Sequence, residues 1–273
     1  MRRIIVLFAI ALLFINTSAQ AEPNKEIKSF LDSSGLTSQV NDIPTIVTAE
    51  LERVRHQLHP KQYREFVDTL NHVFTPENIL EHISNALSAP ANTENLRAWN
   101  ALNTSPVAKR LYSLKSKIDA VETSHGIRQF LGDLHGNMPE FSRMKLLSEL
   151  DDATHSSETS LDMQITTFKG IGKLLLATGQ GHIVNTDELD QLLETMRGKL
   201  APRIKQLTML TTMYLYRDVE DSELQSFVNF YQDKSAQAAM NLRNNALVNA
   251  IEALSQDALK RANVLPPRGI NSI

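Results

Sequence analysis

Apolar residues recur every three or four positions along most of this chain, which is the spacing that lines one face of an α-helix. One such stripe consists of Phe66, Leu70 and Val73, and another lies between residues 189 and 196. No stretch alternates apolar and polar residues between turn signals, as a half-buried β-strand would. The pattern predicts an all-α protein of about ten to twelve helices with no sheet.

Several predicted helices begin with capping signals. Thr75 and Ser105 each precede a proline, so a hydroxyl can accept from the first turn where the missing N–H of proline costs nothing. Thr186 is followed by Asp187 and Glu188, whose carboxylates favour the positive end of the helix dipole. We therefore expect helices to start at these three places.

The last predicted helix is the longest. It runs to about Arg261 and stops before Pro266 and Pro267, because proline cannot continue a helix. Its apolar face consists of Ala236, Ala239, Met240, Leu247, Ala250, Ile251, Leu254 and Ala258.

An internal repeat is the second organising feature. Moving residues 87–108 forward by 128 places them on residues 215–236 without a gap. The matched pairs are Leu87 with Leu215, Leu96 with Leu224, Trp99 with Phe227, Leu102 with Phe230 and Ala108 with Ala236. Two amphipathic helices share a period by construction, but the matching aromatics and the matching break favour a repeat. We expect Trp99 and Phe227 to occupy equivalent core positions.

The repeat predicts two related helical halves. The first covers residues 22–122 and the second residues 127–265, with a seam at residues 124–126, since Gly126 can end a helix. Residues 266–273 form a predicted flexible tail.

Residues 1–21 have the build of a secretory signal peptide. Arg2 and Arg3 are followed by twelve apolar residues, and small side chains at Ala19 and Ala21 precede a predicted cut before Glu22. The apolar run is shorter than the roughly 20 residues that a membrane span requires. We therefore expect an exported, periplasmic protein that is not integral to the membrane.

Composition narrows the class of function. Without residues 1–21 the chain has 26 basic and 31 acidic residues, a net charge of −5, so nucleic acid is a poor candidate partner. The chain has no cysteine, which excludes thiol nucleophiles and thiolate metal sites. An exported protein without disulfides must be held by packing alone, as suits a bacterial periplasm.

One segment resembles a known family. Asp221–Leu224, Phe227, Phe230–Tyr231 and Ala236–Gln237 are similar to domain-of-unknown-function family 2059 of exported bacterial proteins, most clearly over residues 205–255. The resemblance implies a helical periplasmic fold and brings no reaction or site residues.

This chain departs from the family pattern at several positions. Asp233–Lys234 stands where Ser-Pro is usual, and Ala236 where Gly is usual. The first copy keeps Ser105–Pro106 but has Asn103 in place of the tyrosine.

Gly132–Asn137 resembles the first metal-binding turn of calcineurin-like phosphoesterases, in which Asp133 and His135 would bind one ion of a two-metal centre. The further motifs of such a centre are missing, and Ile127–Leu134 has the pattern of a helix that ends at Gly136. A metal-dependent hydrolase is therefore an unfavoured alternative.

Other polar patterns have simpler explanations. His56 and His59 lack the intervening glutamate and spacing of a helical zinc site, and are expected at the surface, at a helix end. Gly170–Lys173 and Gly179–His182 lack the spacing of a phosphate-binding loop. We expect Gly170 and Gly172 to permit close helix packing.

No catalytic, cofactor-binding or metal-binding residue is predicted. The leading hypothesis is a non-catalytic protein that binds a protein or another envelope component in a helix-lined groove, and a small-ligand carrier is a further alternative. The candidate groove residues are Trp99, Tyr214, Phe227, Phe230 and Tyr231.

Overall fold

A computed structural model describes residues 21–115, 126–127, 129–130, 132, 139–177 and 185–263. These residues form α-helices, two short 3-10 turns (Arg55–Gln57 and Pro90–Asn92) and no strand. The helices are α1 (Ala21–Ser33), α2 (Leu36–Gln39), α3 (Ile43–Arg53), α4 (Pro60–Val73), α5 (Pro76–Leu87), α6 (Thr93–Leu102), α7 (Pro106–Lys115), α8 (Phe141–Thr154), α9 (Ser156–Ala177), α10 (Thr186–Leu215), α11 (Asp221–Gln232) and α12 (Lys234–Asn263). The all-α prediction is confirmed, with eleven described helices of ten residues or more.

The predicted signal peptide up to residue 20 and the tail from residue 266 lie outside the described residues. Within the described part of the chain, no helix is long and apolar enough to cross a membrane.

Side chains start the helices largely where the sequence predicts. Thr75 Oγ1 accepts a hydrogen bond from the N–H of Asn78 at 3.2 Å, which caps α5. At α10 the prediction is wrong by one residue, because Asn185 is the capping residue and Thr186 is already helical. Asn185 Oδ1 accepts from the N–H of Glu188 at 2.9 Å. Asparagine caps as well as threonine does, so the helix gains the same bond.

The C-terminal helix α12 lies at the centre of the packing. It contacts α4, α5 and α6 from the first predicted half and α9 and α11 from the second. Every residue of its predicted apolar face is buried. The main core extends from Ile27 to Ala262, so the two predicted halves share one hydrophobic core.

Two glycines allow α9 to approach its neighbours closely. A Cβ on Gly170 would lie 2.7 Å from the Cβ of Ser255 on α12, and a Cβ on Gly172 would lie 2.5 Å from a methyl carbon of Leu189 on α10. Both glycines are inside a helix, so they serve packing as predicted. Gly179–His182 lies outside the described residues.

Helix α10 packs mainly against α9 around a smaller apolar cluster that includes Leu189 and Leu193. Leu192, which the sequence pattern places in the same stripe, is 43% exposed. This helix is therefore an outer layer of the fold.

Candidate functional site

Four of the five rings predicted to line a groove are core residues. Trp99 of α6 meets Phe30 and Phe230 edge to face, with ring centroids 6.1 Å and 6.0 Å apart. Phe230 meets Tyr231 at 5.1 Å, and Trp99, Phe227, Phe230 and Tyr231 are each at most 9% exposed. The groove prediction is wrong for these rings, because they bury their faces on one another. A carrier cavity lined by them is also not seen.

The fifth ring, Tyr214, lies apart from that group. It is half-buried, it meets Phe130 edge to face at 5.7 Å, and the guanidinium of Arg217 lies 4.2 Å from its ring centre. Gly126 packs so closely against the Tyr214 ring that a Cβ there would overlap it. These contacts describe a local packing arrangement.

Trp99 and Phe227 are each 1% exposed, so the prediction that both lie in the core is confirmed. The helix boundaries also coincide when the chain is shifted by 128 residues. The matched boundaries are the ends of α5 and α10 at residues 87 and 215, the starts of α6 and α11 at 93 and 221, and the starts of α7 and α12 at 106 and 234.

The cap before the second helix of each pair matches as well. Ser105 Oγ accepts from the N–H of Ala108 at 3.2 Å, and Asp233 Oδ1 accepts from the N–H of Ala236 at 3.4 Å. The aspartate that replaces Ser-Pro therefore retains the capping role.

An open cleft of about 440 Å³ lies between α1, α6 and α7. Three elements form it: the last turn of α1, the residue that ends α6, and the first two turns of α7. Its lining residues are Ser29, Asp32, Ser33, Asn103, Ala108, Lys109 and Tyr112. The volume falls within the range of small-ligand sites. By contrast, the pocket between α3, α4, α9 and α12 has room for about 10 Å³, the size of one water.

The polar groups of this cleft have unused hydrogen-bonding capacity. Ser29, Asn103, Lys109 and Tyr112 make no side-chain hydrogen bond or ion pair with another described residue. Asp32 Oδ1 accepts from the hydroxyl of Thr37 at 2.8 Å, which leaves its second oxygen open. Because donors and acceptors in a protein are normally satisfied by protein or solvent, this set can exchange water for a ligand.

The floor of the cleft connects to the aromatic core. Ser33 Oγ accepts from the indole Nε1–H of Trp99 at 2.9 Å and donates weakly to the carbonyl of Phe30 at 3.4 Å. Trp99 is the only tryptophan of the chain. Its fluorescence therefore reports on the cleft.

The same place is closed in the second copy. At a shift of 128 residues, the open-cleft residues Asn103, Lys109 and Tyr112 correspond to Tyr231, Gln237 and Met240, respectively. Tyr231 and Met240 are buried, at 4% and 5% exposure, whereas Tyr112 is 54% exposed. Gln237 uses its amide to reach the carbonyl of Ala153 at 2.6 Å. The first copy thus has a polar cleft where the second has a filled core.

Buried polar side chains elsewhere have structural partners. Arg243 of α12 donates to the carbonyl of Ser34 at 3.1 Å, to Asn244 Oδ1 at 2.8 Å and to Gln39. Burial lowers the pKa of Arg243. Glu50 is buried beside Arg53 at 3.1 Å. These groups join helices and line no cleft.

No group of three or more His, Asp or Glu side chains suited to a metal occurs in the described parts of the chain. Asp133 and His135 lie outside those parts. His56 and His59 are exposed, as expected. The expected role of His59 at the C-terminal end of a helix is wrong, because its Nδ1 accepts from the N–H of Lys61 and caps the start of α4.

Sequence reasoning missed Ser29, Asp32, Lys109 and Tyr112. The signal that could have found them is the 128-residue shift itself, which replaces large or apolar residues of one copy by polar or exposed ones in the other. Comparison with protein-family models, curated proteins and solved structures finds no match for this chain.

Proposed function

We propose that this is an exported, non-catalytic helical protein that binds a component of the bacterial envelope in the cleft between α1, α6 and α7. The observation that carries the proposal is a cleft of about 440 Å³ whose polar side chains have spare hydrogen-bonding capacity. The predicted signal peptide and the resemblance to family 2059 support the envelope as its place of work.

The architecture around the cleft favours binding over chemistry. Asp32 is the one carboxylate among its lining residues, and it is exposed. Histidine is absent from the lining, so the usual partner for proton transfer is missing there. Helices α1, α6 and α7 are rigid elements, and a site on rigid elements holds its polar groups in fixed positions.

The experiment is co-sedimentation of the protein purified from the periplasm with isolated envelope fractions. The fractions are peptidoglycan sacculi and outer-membrane vesicles, with co-elution on gel filtration testing soluble periplasmic material. We compare the parent with Asn103→Tyr, which places in the cleft the side chain that fills the equivalent position as Tyr231.

The account predicts that one fraction retains the parent and that Asn103→Tyr weakens this binding at least tenfold, about 1.4 kcal/mol. Lys199→Ala is the matched control, because Lys199 is exposed on α10, away from the cleft. Equal retention of Asn103→Tyr and the parent would contradict the proposal, as would retention by no fraction.

A further inference from the structure

We infer that the cleft between α1, α6 and α7 takes a neutral, polyhydroxylated ligand, namely a sugar residue of an envelope glycan. The inference rests on the proposed function and names the chemistry of its ligand. Three features of the cleft lead to it: the mixture of donors and acceptors, the balance of charge, and the exposed ring of Tyr112.

The lining offers donors and acceptors side by side. Lys109 can only donate, the ionised carboxylate of Asp32 can only accept, and the amide of Asn103 does both. The hydroxyl groups of Ser29 and Tyr112 also do both. Sugar hydroxyls donate and accept at every ring position, so such a mixed lining can satisfy them without leaving a polar group unpaired.

Charge in the cleft disfavours an ionic ligand. Asp32 and Lys109 contribute opposite charges, and no ion pair joins them. Two helices, α1 and α6, end at the cleft and one, α7, begins there. The partial negative charges of two C-terminal ends therefore exceed the partial positive charge of one N-terminal end. A phosphate or carboxylate would meet Asp32 and both helix ends, whereas a neutral sugar does not.

Tyr112 supplies an apolar face beside these polar groups. Its ring is 54% exposed, and Ala108, one turn earlier on α7, is a small residue that leaves room next to it. An exposed tyrosine offers a flat surface together with a hydroxyl. The C–H face of a pyranose can stack on such a surface while its hydroxyls reach Asp32 and Asn103.

The opening of the cleft fits a glycan rather than an enclosed metabolite. At the equivalent position of the second copy, Tyr231 and Met240 are buried and occupy this space. Removing both groups from the first copy opens it to solvent, so the rest of a sugar chain can extend outward.

The test uses the emission of Trp99 in the protein purified from the periplasm. Because Trp99 donates to Ser33 at the floor of the cleft, a bound ligand should change its emission. The probes are chitotriose and cellotriose, which are neutral trisaccharides, and trialanine, a zwitterion of comparable length. We expect at least one trisaccharide to give a saturable change and trialanine to give none.

Variants tie the signal to the cleft. Tyr112→Ala should weaken trisaccharide binding about tenfold or more, since stacking and a hydrogen bond are both lost. Phe141→Ala, at a phenylalanine that is 86% exposed on α8, is the aromatic control and should bind as the parent does. The affinity should vary little between low and high salt, because a neutral ligand is not screened.

Several results would overturn the inference. Binding of trialanine in place of the sugars, with strong salt dependence, would assign the cleft to a zwitterion. Sugar binding that Tyr112→Ala leaves unaltered would place the sugar elsewhere. If no probe binds but Asn103→Tyr still abolishes envelope co-sedimentation, the sugar assignment fails and the proposed function survives. If co-sedimentation is also indifferent to Asn103→Tyr, both fail.

Discussion

Truncation of Trp99 to alanine should be among the most destabilising single changes in this protein. The indole is 1% exposed and meets Phe30 and Phe230 edge to face. Replacing a buried tryptophan by alanine costs about 3–5 kcal/mol in lost burial and residual cavity. Because each edge-to-face ring pair adds about 0.5–1.5 kcal/mol, we expect the upper part of that range. A typical domain has only about 5–15 kcal/mol to lose.

The assay is urea denaturation followed by far-ultraviolet circular dichroism, since the variant lacks the only tryptophan. Trp99→Phe is the matched control. It keeps a ring in the core and loses the hydrogen bond to Ser33, so it should cost clearly less than Trp99→Ala. A cost below about 1 kcal/mol for Trp99→Ala would refute the packing described here, because a buried ring cannot be removed that cheaply.

Three further predictions follow from single positions. Gly170→Ala should destabilise the protein because its Cβ would overlap α12, whereas Gly198→Ala, with open space around the added carbon, should stabilise it by about 0.5–1 kcal/mol in thermal unfolding. The hydrogen bond from Tyr63, followed by that from Arg55, lowers the pKa of Glu52 and so contributes stability above the unfolded-state pKa of that carboxylate. This contribution disappears as the pH falls through the lowered pKa, so Tyr63→Phe and the parent should converge in melting temperature below about pH 4, and a constant difference would contradict this. N-terminal sequencing of the exported protein should begin at Glu22, and a start at residue 1 would exclude cleavage.

The helices and much of the core could be predicted from the sequence because local rules determine them. Helical periodicity identified the buried face of α12, and a threonine before proline identified the start of α5. Asn185 displaced Thr186 as a cap because both residue types satisfy the same N–H group, and periodicity does not separate neighbours.

The candidate site could not be predicted in the same way. Periodicity places Trp99 and Phe230 on inward faces but does not say that they meet each other and close the expected groove. The cleft depends on how far α1 stands from α7, which is a property of tertiary packing. Ser29 and Lys109 are ordinary exposed residues in the sequence, and only the fold brings them to one cavity.

The central claim is that the cleft between α1, α6 and α7 is the binding site. The measurement that tests it most directly is hydrogen–deuterium exchange of the parent protein, with and without the envelope fraction that retains it. The account predicts slowed exchange confined to the end of α1, the end of α6 and the start of α7, and no such slowing in Asn103→Tyr. Protection centred on α10, or the same protection in both proteins, would contradict it.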